Sequence, residues 1–167
     1  MANETMGQQG WGGHIFQINV SQGGVPKLAV PQAEVSALGL VGDCQANTEL
    51  HGGPERAVCL YSLERILSLQ AEGHTIYPGA IGENLTVSGV DWDMVEPGVR
   101  FHIGEDVLLE VTRYTSPCQK IAAVFAGEEL KRVSQKEFPG WSRVYARVIR
   151  GGPVRVGDRL QIEPAGE

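Results

Sequence analysis

Short apolar runs separated by glycine, proline and small polar residues set the character of this 167-residue chain, whose 22 glycines and 9 prolines are spread along its length. That punctuation favours many short strands, as in sandwiches and barrels. His14 to Val20 reads as a first strand, followed by the turn Ser21-Gln22-Gly23-Gly24, and Ala57 to Tyr61 as a short apolar strand. Arg100 to Ile103 and Val107 to Tyr114 flank Gly104-Glu105-Asp106 and predict a hairpin. In its second arm Val107, Leu109 and Val111 share one face, while Glu110 and Thr112 share the other. Arg143 to Ile149 alternates in the same way, with Val144, Ala146 and Val148 inward. Gly151-Gly152-Pro153 then reads as a turn towards a last strand, Arg159 to Glu163.

Two helices interrupt the strands. Ser62 suits the N-cap of a helix carrying Leu63, Ile66, Leu67 and Leu69, with Gly73 as its stop. A second helix is predicted from Ser116-Pro117-Cys118-Gln119: Ser116 caps, Pro117 takes the first helical position and Gln119 completes a capping box. Ile121, Val124 and Phe125 supply its buried face, and Gly127 breaks or bends it before Glu128 to Gln135.

Composition changes this picture little. Apolar content of 42% and charged content of 20% are ordinary for a globular protein of one domain. No run approaches the roughly 20 apolar residues a membrane span needs. The N-terminal MANETMGQQGWGG has neither the basic nor the apolar region of a secretory signal, and is expected to be a flexible, polar lead-in over residues 1–13. A net charge of −6 argues against a nucleic-acid partner, although Arg143, Arg147, Arg150, Arg155 and Arg159 crowd the last quarter. Three widely spaced cysteines, Cys44, Cys59 and Cys118, make a poor disulfide framework, and the absence of a CxxC pair argues against a zinc site. A reducing, cytoplasmic location is the simpler expectation.

Candidate chemistry centres on Cys118. At a helix start, backbone N–H groups and the positive end of the helix dipole favour the thiolate, which is both nucleophile and metal ligand. The competing reading is a small packed hydrophobe. Gly39-Leu40-Val41-Gly42-Asp43 and His51-Gly52-Gly53-Pro54-Glu55-Arg56-Ala57 form a second focus. Their glycines allow close backbone approach to a ligand, and His51 and Arg56 offer donors to an anion or heterocycle. The alternative there is a long turn in which Asp43 and His51 merely cap backbone groups. Gly82-Glu83-Asn84-Leu85-Thr86 is a polar insertion whose Glu and Asn, if buried, need partners. Glu83 is read as a structural pin. Arg143, after Pro139-Gly140-Trp141, is either a surface charge or a fixed cation at a site rim. Cys59 reads as packed, and His14, His74 and His102 share no metal-ligand spacing.

Taken in order, Gly39-Leu40-Val41-Gly42-Asp43, His51-Gly52-Gly53 with Arg56-Ala57-Val58, Gly82-Glu83-Asn84-Leu85-Thr86, Pro117-Cys118, and Gly151-Gly152-Pro153-Val154 with Val156-Gly157-Asp158 resemble the MOSC domain. That family is named for the C-terminal part of molybdenum cofactor sulfurases. The resemblance covers residues 14–163, with 164–167 left as a tail. It implies a mainly β, barrel-like fold with a few short helices, in a stand-alone member of bacterial type. It also implies that Cys118 is the functional cysteine, either as carrier of a persulfide sulfur or as ligand to molybdenum held by a pterin (molybdopterin). His51, Arg56, Asn84 and Arg143 become candidates for the phosphate or pterin of that cofactor. The chain has no pyridoxal phosphate module of the kind sulfurases carry upstream. A sulfur carrier would therefore depend on a cysteine desulfurase or other donor. A reductase of N-hydroxylated compounds would depend on a separate redox partner. As an enzyme the protein is thus either a sulfur transferase or a molybdenum-dependent oxidoreductase; the third reading is a non-catalytic module that binds a small anion.

Overall fold

The computed structural model describes residues 12–44 and 53–166. Eleven strands among these residues form two sheets. The larger runs β11 (Arg159–Glu163), β7 (Arg100–Ile103), β8 (Val107–Tyr114), β9 (Val144–Arg150), β5 (Val58–Ser62), β6 (Leu85–Ser88) and β1 (Gly12–Val20). β11 pairs back onto β1, so these seven strands close a barrel. Closure leaves those strands without a free edge. Among the described strands only β5 and β6 run parallel; β2 (Leu28–Val30) extends the sheet beside β1. The smaller sheet joins β10 (Gly152–Arg155), β3 (Gln32–Ser36) and β4 (Gly39–Leu40).

The amphipathic strands fold where their alternation places them. β7 and β8 form the expected hairpin around Gly104-Glu105-Asp106, with Val107, Leu109 and Val111 buried. β11 has the expected span, and β1 begins at Gly12, two residues earlier than expected. Remaining residues of the polar lead-in, 1–11, lie outside the described residues. α1 (Leu63–Ala71) starts where expected: the Ser62 hydroxyl accepts from the Arg65 N–H at 3.1 Å. Ile66 and Leu69 are buried beneath it, and Gly73 follows its C-cap at φ 101°.

Three expectations need correction. The Gly151-Gly152-Pro153 turn instead carries a strand, since Gly152 to Arg155 pair with β3 and bury Val154. Leu85-Thr86 belongs to a barrel strand rather than to a polar insertion; Glu83, Asn84 and Thr86 are buried, with Glu83 bonded to Thr86 and Asn84 to Cys59, Asp43 and Asn19. The second helix is not α-helical but three short 3₁₀ turns, Gln119–Val124, Ala126–Glu128 and Leu130–Val133. Gly127, in the left-handed region at φ 68°, kinks the second of them from within. Ile121 and Phe125 still form a buried face. Ser116 does not cap, because the Thr115 N–H donates to the Arg143 carbonyl and Ser116 precedes a proline, which disfavours helical backbone. Cys118 consequently stands at the boundary itself, extended at φ −123°, ψ 165°.

Candidate functional site

Sheet register explains how residues far apart in sequence come to share one wall. Cys59 lies opposite Tyr145 in the β5–β9 pair, and Leu60 lies opposite Leu85 in the β5–β6 pair. Side chains alternate along strands. Cys59, Asn84 and Tyr145, with Arg143 two residues before it, therefore point to the face opposite Leu60, Leu85 and Val144. That face is roofed by Cys118, Lys120 and Ile121 from the first 3₁₀ turn and its approach, and by Gly24, Val25 and Lys27 from the β1–β2 connection. The resulting cavity encloses about 590 Å³ of empty space when its open mouth is included.

Three of the five residues singled out by sequence meet here: Cys118, Asn84 and Arg143. Arg56 does not line the cavity; its guanidinium sits 5.9 Å from the centre of the Tyr145 ring, which does. His51 lies outside the described residues. Among the crowded C-terminal arginines, Arg147 is paired with Glu110 and Arg150 donates to the Asp106 carbonyl; only Arg143 lines the cavity. Lys27, Cys59, Lys120 and Tyr145 were not legible as site residues. Their one signal is strand alternation, which pairs Tyr145 with Arg143 once the register is known.

Asn84 is committed to holding the wall. Its Oδ1 accepts from the Cys59 N–H at 3.0 Å, and its Nδ2 donates to Asp43 Oδ2 at 3.0 Å and to the Asn19 carbonyl at 3.3 Å. Asp43 also accepts from Lys27 Nζ at 2.7 Å and from the Ser21 N–H at 2.9 Å. The buried Lys27–Asp43 pair thereby fastens the Gly39–Asp43 stretch to the cavity, and the capping role considered for Asp43 is realised.

Arg143 differs. It is 7% exposed, and its Nη1 donates to the Ile81 carbonyl at 2.7 Å. Its Nε is buried and finds no hydrogen-bond partner among the described residues. A buried guanidinium N–H left unpaired is costly, so a ligand acceptor there is favoured. Its backbone is pinned, since the Trp92 indole N–H donates to the Ser142 carbonyl at 2.8 Å and the Ser142 hydroxyl donates to the Thr115 carbonyl at 3.2 Å. The strand leading to Cys118 and the residue before Arg143 are thus tied together.

The cavity's two thiols are unequal. Burial pushes Cys59 up to about 11, against a smaller opposing pull from Arg143, so it is a neutral S–H near neutrality. Cys118 is half-buried, the more reachable of the two. The helix dipole expected to favour its thiolate is not supplied by a short 3₁₀ turn that starts after it. Arg143 and Lys120 line the same cavity. Burial raises the phenol of Tyr145 to about 12, leaving it protonated.

Residues 47–161 match the family model described as the MOSC domain, well over half of the chain. The chain belongs to the MOSC domain family. The barrel of this MOSC protein extends beyond the match, because β1 closes it. YflK of Bacillus subtilis, an uncharacterized protein, is 35% identical over 127 residues, covering 75% of this chain and 56% of YflK. A protein of Gibberella moniliformis named "Reductase" is 35% identical over 132 residues, 76% of this chain and 23% of its own length. YiiM of Escherichia coli is 34% identical over 133 residues, 77% of this chain and 58% of YiiM. The crystal structure of E. coli YiiM superposes with a TM-score of 0.70 over 93% of this chain and 71% of that one, at 25% identity. The chain therefore spans little more than half of the two bacterial relatives and about a quarter of the fungal one. No helix among the described residues is long and apolar enough to cross a membrane.

Proposed function

We propose that this MOSC protein holds the molybdenum cofactor in the cavity, with Cys118 as the sulfur ligand to the metal. The observation that carries this reading is the buried Arg143 Nε, without a partner among the described residues, in a cavity that also presents a reachable thiol. The donor set fits such a cofactor. A soft thiolate suits molybdenum, and Arg143 with Lys120 suits the phosphate or an oxygen of the pterin. The neutral thiol of Cys59 and the committed amide of Asn84 add no competing negative charge. When bound, the cofactor supplies two-electron oxygen-atom chemistry at the metal.

The protein's own residues hold and orient. Cys118 would hold the cofactor from the roof, and Arg143, pinned through Ser142 and Thr115, would hold it from the wall. The Lys27–Asp43 pair, itself neutral overall, keeps the β1–β2 connection closed over the side. Reduction of an N-hydroxylated compound, with electrons from a separate protein, is the activity that best suits this arrangement; kinship with a protein named "Reductase" supports it. A second reading, in which Cys118 carries a persulfide received from a cysteine desulfurase, is favoured by its partial exposure. A carrier thiol, however, needs no buried guanidinium with a spare N–H.

Expression in a host that makes the cofactor separates the two. Molybdenum and pterin near one per chain in the wild type, with both lost or sharply reduced in Cys118→Ser, support the cofactor reading. Metal-free wild type that accepts labelled sulfur on Cys118 from a desulfurase overturns it in favour of the carrier.

A further inference from the structure

Glu83 sits between Gly82 and Asn84, which line the cavity, without lining it itself. It is 0% exposed. Its carboxyl accepts from neutral donors: the Gly79 N–H on Oε1 and the Thr86 hydroxyl on Oε2, both at 3.1 Å, and its own backbone N–H. Thr86 is held in turn by Asn19 Nδ2 at 3.1 Å. Its neighbours in sequence, Ile81, Gly82 and Asn84, form the cavity wall. The cation whose charge favours ionised Glu83 is Arg143, the same guanidinium that grips the Ile81 carbonyl and leaves Nε unpaired. One positive charge therefore serves two claims: a carboxylate behind the wall and any anion in front of it.

We propose that Glu83 is the proton partner of the cavity: an anion that takes the spare N–H of Arg143 drives Glu83 to bind a proton, so that ligand and proton enter together. The inference rests on the reading of the cavity as an anion site. The proton comes from solvent, and no electron transfer or covalent step is involved. An anion in front of Arg143 adds negative charge beside buried Glu83 and offsets the cation that favoured its ionised form, and both effects favour the neutral acid. The other groups facing Glu83 cannot take this role. From β5, Cys59 at about 11 and Tyr61, raised by burial, stay protonated near neutrality. The next charges out, Lys27 and Asp43, are paired with each other. Burial, partly offset by hydrogen bonds and Arg143, places Glu83 itself at about 7, where a change in its surroundings shifts its proton occupancy most.

Sulfate is a suitable probe because it does not titrate in this range. Its binding is followed by protection of Cys118 from alkylation between pH 6 and 9, with chloride matching the ionic strength. Glu83 is followed by NMR of protein carrying carbon-13 in its glutamate carboxyls, with Glu83→Gln assigning the resonance. Saturating sulfate is expected to raise the Glu83 midpoint by about one unit, which corresponds to a loss of about tenfold in sulfate affinity from pH 6 to 9. Glu83→Gln, checked as folded by circular dichroism, is expected to lack the part of the slope that the midpoint shift accounts for. A midpoint that does not move while sulfate protects Cys118, or an unchanged slope in Glu83→Gln, overturns the proton linkage and leaves the anion site standing. Sulfate that neither protects Cys118 nor shifts any cavity resonance overturns the anion reading, and the linkage with it.

Discussion

Replacing Asn84 by alanine removes one side chain that satisfies three partners at once: the Cys59 N–H, the Asp43 carboxylate and the Asn19 carbonyl. Asn84 is 1% exposed, so water replaces these bonds poorly. The Cys59 N–H is left without its acceptor, at about 1–3 kcal/mol, and Asp43 loses one of three bonds to a charged group, at about 1.5–3 kcal/mol. Asp43 keeps Lys27 and the Ser21 N–H, and the adjoining cavity admits some solvent, so the lower half of the combined range applies: roughly 3 kcal/mol. In urea, with a slope of about 2 kcal/mol/M, the midpoint falls by roughly 1.5 M. Asn84→Asp sharpens the test. It keeps an acceptor for Cys59 but faces Asp43 with a second carboxylate, so it is destabilised at neutral pH. It recovers as pH falls and a shared proton restores a donor to Asp43. A midpoint shift below about 0.3 M for alanine, or a pH-independent deficit for aspartate, refutes the view of Asn84 as the tie between wall and loop.

Two further outcomes follow from the buried titrating groups. Glu83 has a folded-state value of about 7 against an ordinary 4.5, so the folded form holds the proton more tightly. Its contribution to stability is greatest below 4.5, falls as pH rises towards 7 and then levels off. The difference, about 2.5 units, is worth roughly 3 kcal/mol. Urea unfolding of wild type and Glu83→Gln at pH 4.5 and 8 is expected to show the variant gaining on the wild type by about that amount at the higher pH; parallel profiles contradict it. For the thiols, a Cys59 value of about 11 leaves roughly one molecule in three thousand ionised at pH 7.5. Iodoacetamide with peptide mapping is therefore expected to modify exposed Cys44 and half-buried Cys118 while sparing Cys59 until the protein unfolds. Equal native-state labelling of Cys59 and Cys118 contradicts the assigned burial.

What was legible in the sequence was whatever local pattern decides. The β7–β8 hairpin, β11 and the Ser62 cap follow from alternation, turn residues and a side-chain acceptor, none of which depends on distant chain. β2 and β4 are too short to show a stripe, and β3 alternates over only five residues, from Gln32 to Ser36; β3 is held by pairing with β10 on one side and β4 on the other. β6 was hidden by polarity. Glu83, Asn84 and Thr86 look like a loop until their bonds in the interior are seen, Glu83 with Thr86 and Asn84 with Cys59, Asp43 and Asn19. The second helix had the correct buried face and the wrong geometry, because Thr115 stays tied to Arg143 and Gly127 turns the chain left-handed. The site was legible in part for the same reason. Cys118, Asn84 and Arg143 stood out as polar or reactive types in unusual settings. Cys59, Tyr145, Lys27 and Lys120 join them only through register and loop return, and Arg56 turned to the Tyr145 ring instead.

Ligation of molybdenum by Cys118 is tested most directly by X-ray absorption at the molybdenum edge of cofactor-loaded protein, with Cys118→Ser loaded in parallel and metal content measured on both. Ligation predicts that the variant loses the metal or keeps it with one fewer sulfur neighbour. Equal molybdenum content with the same sulfur coordination in both proteins contradicts the assignment.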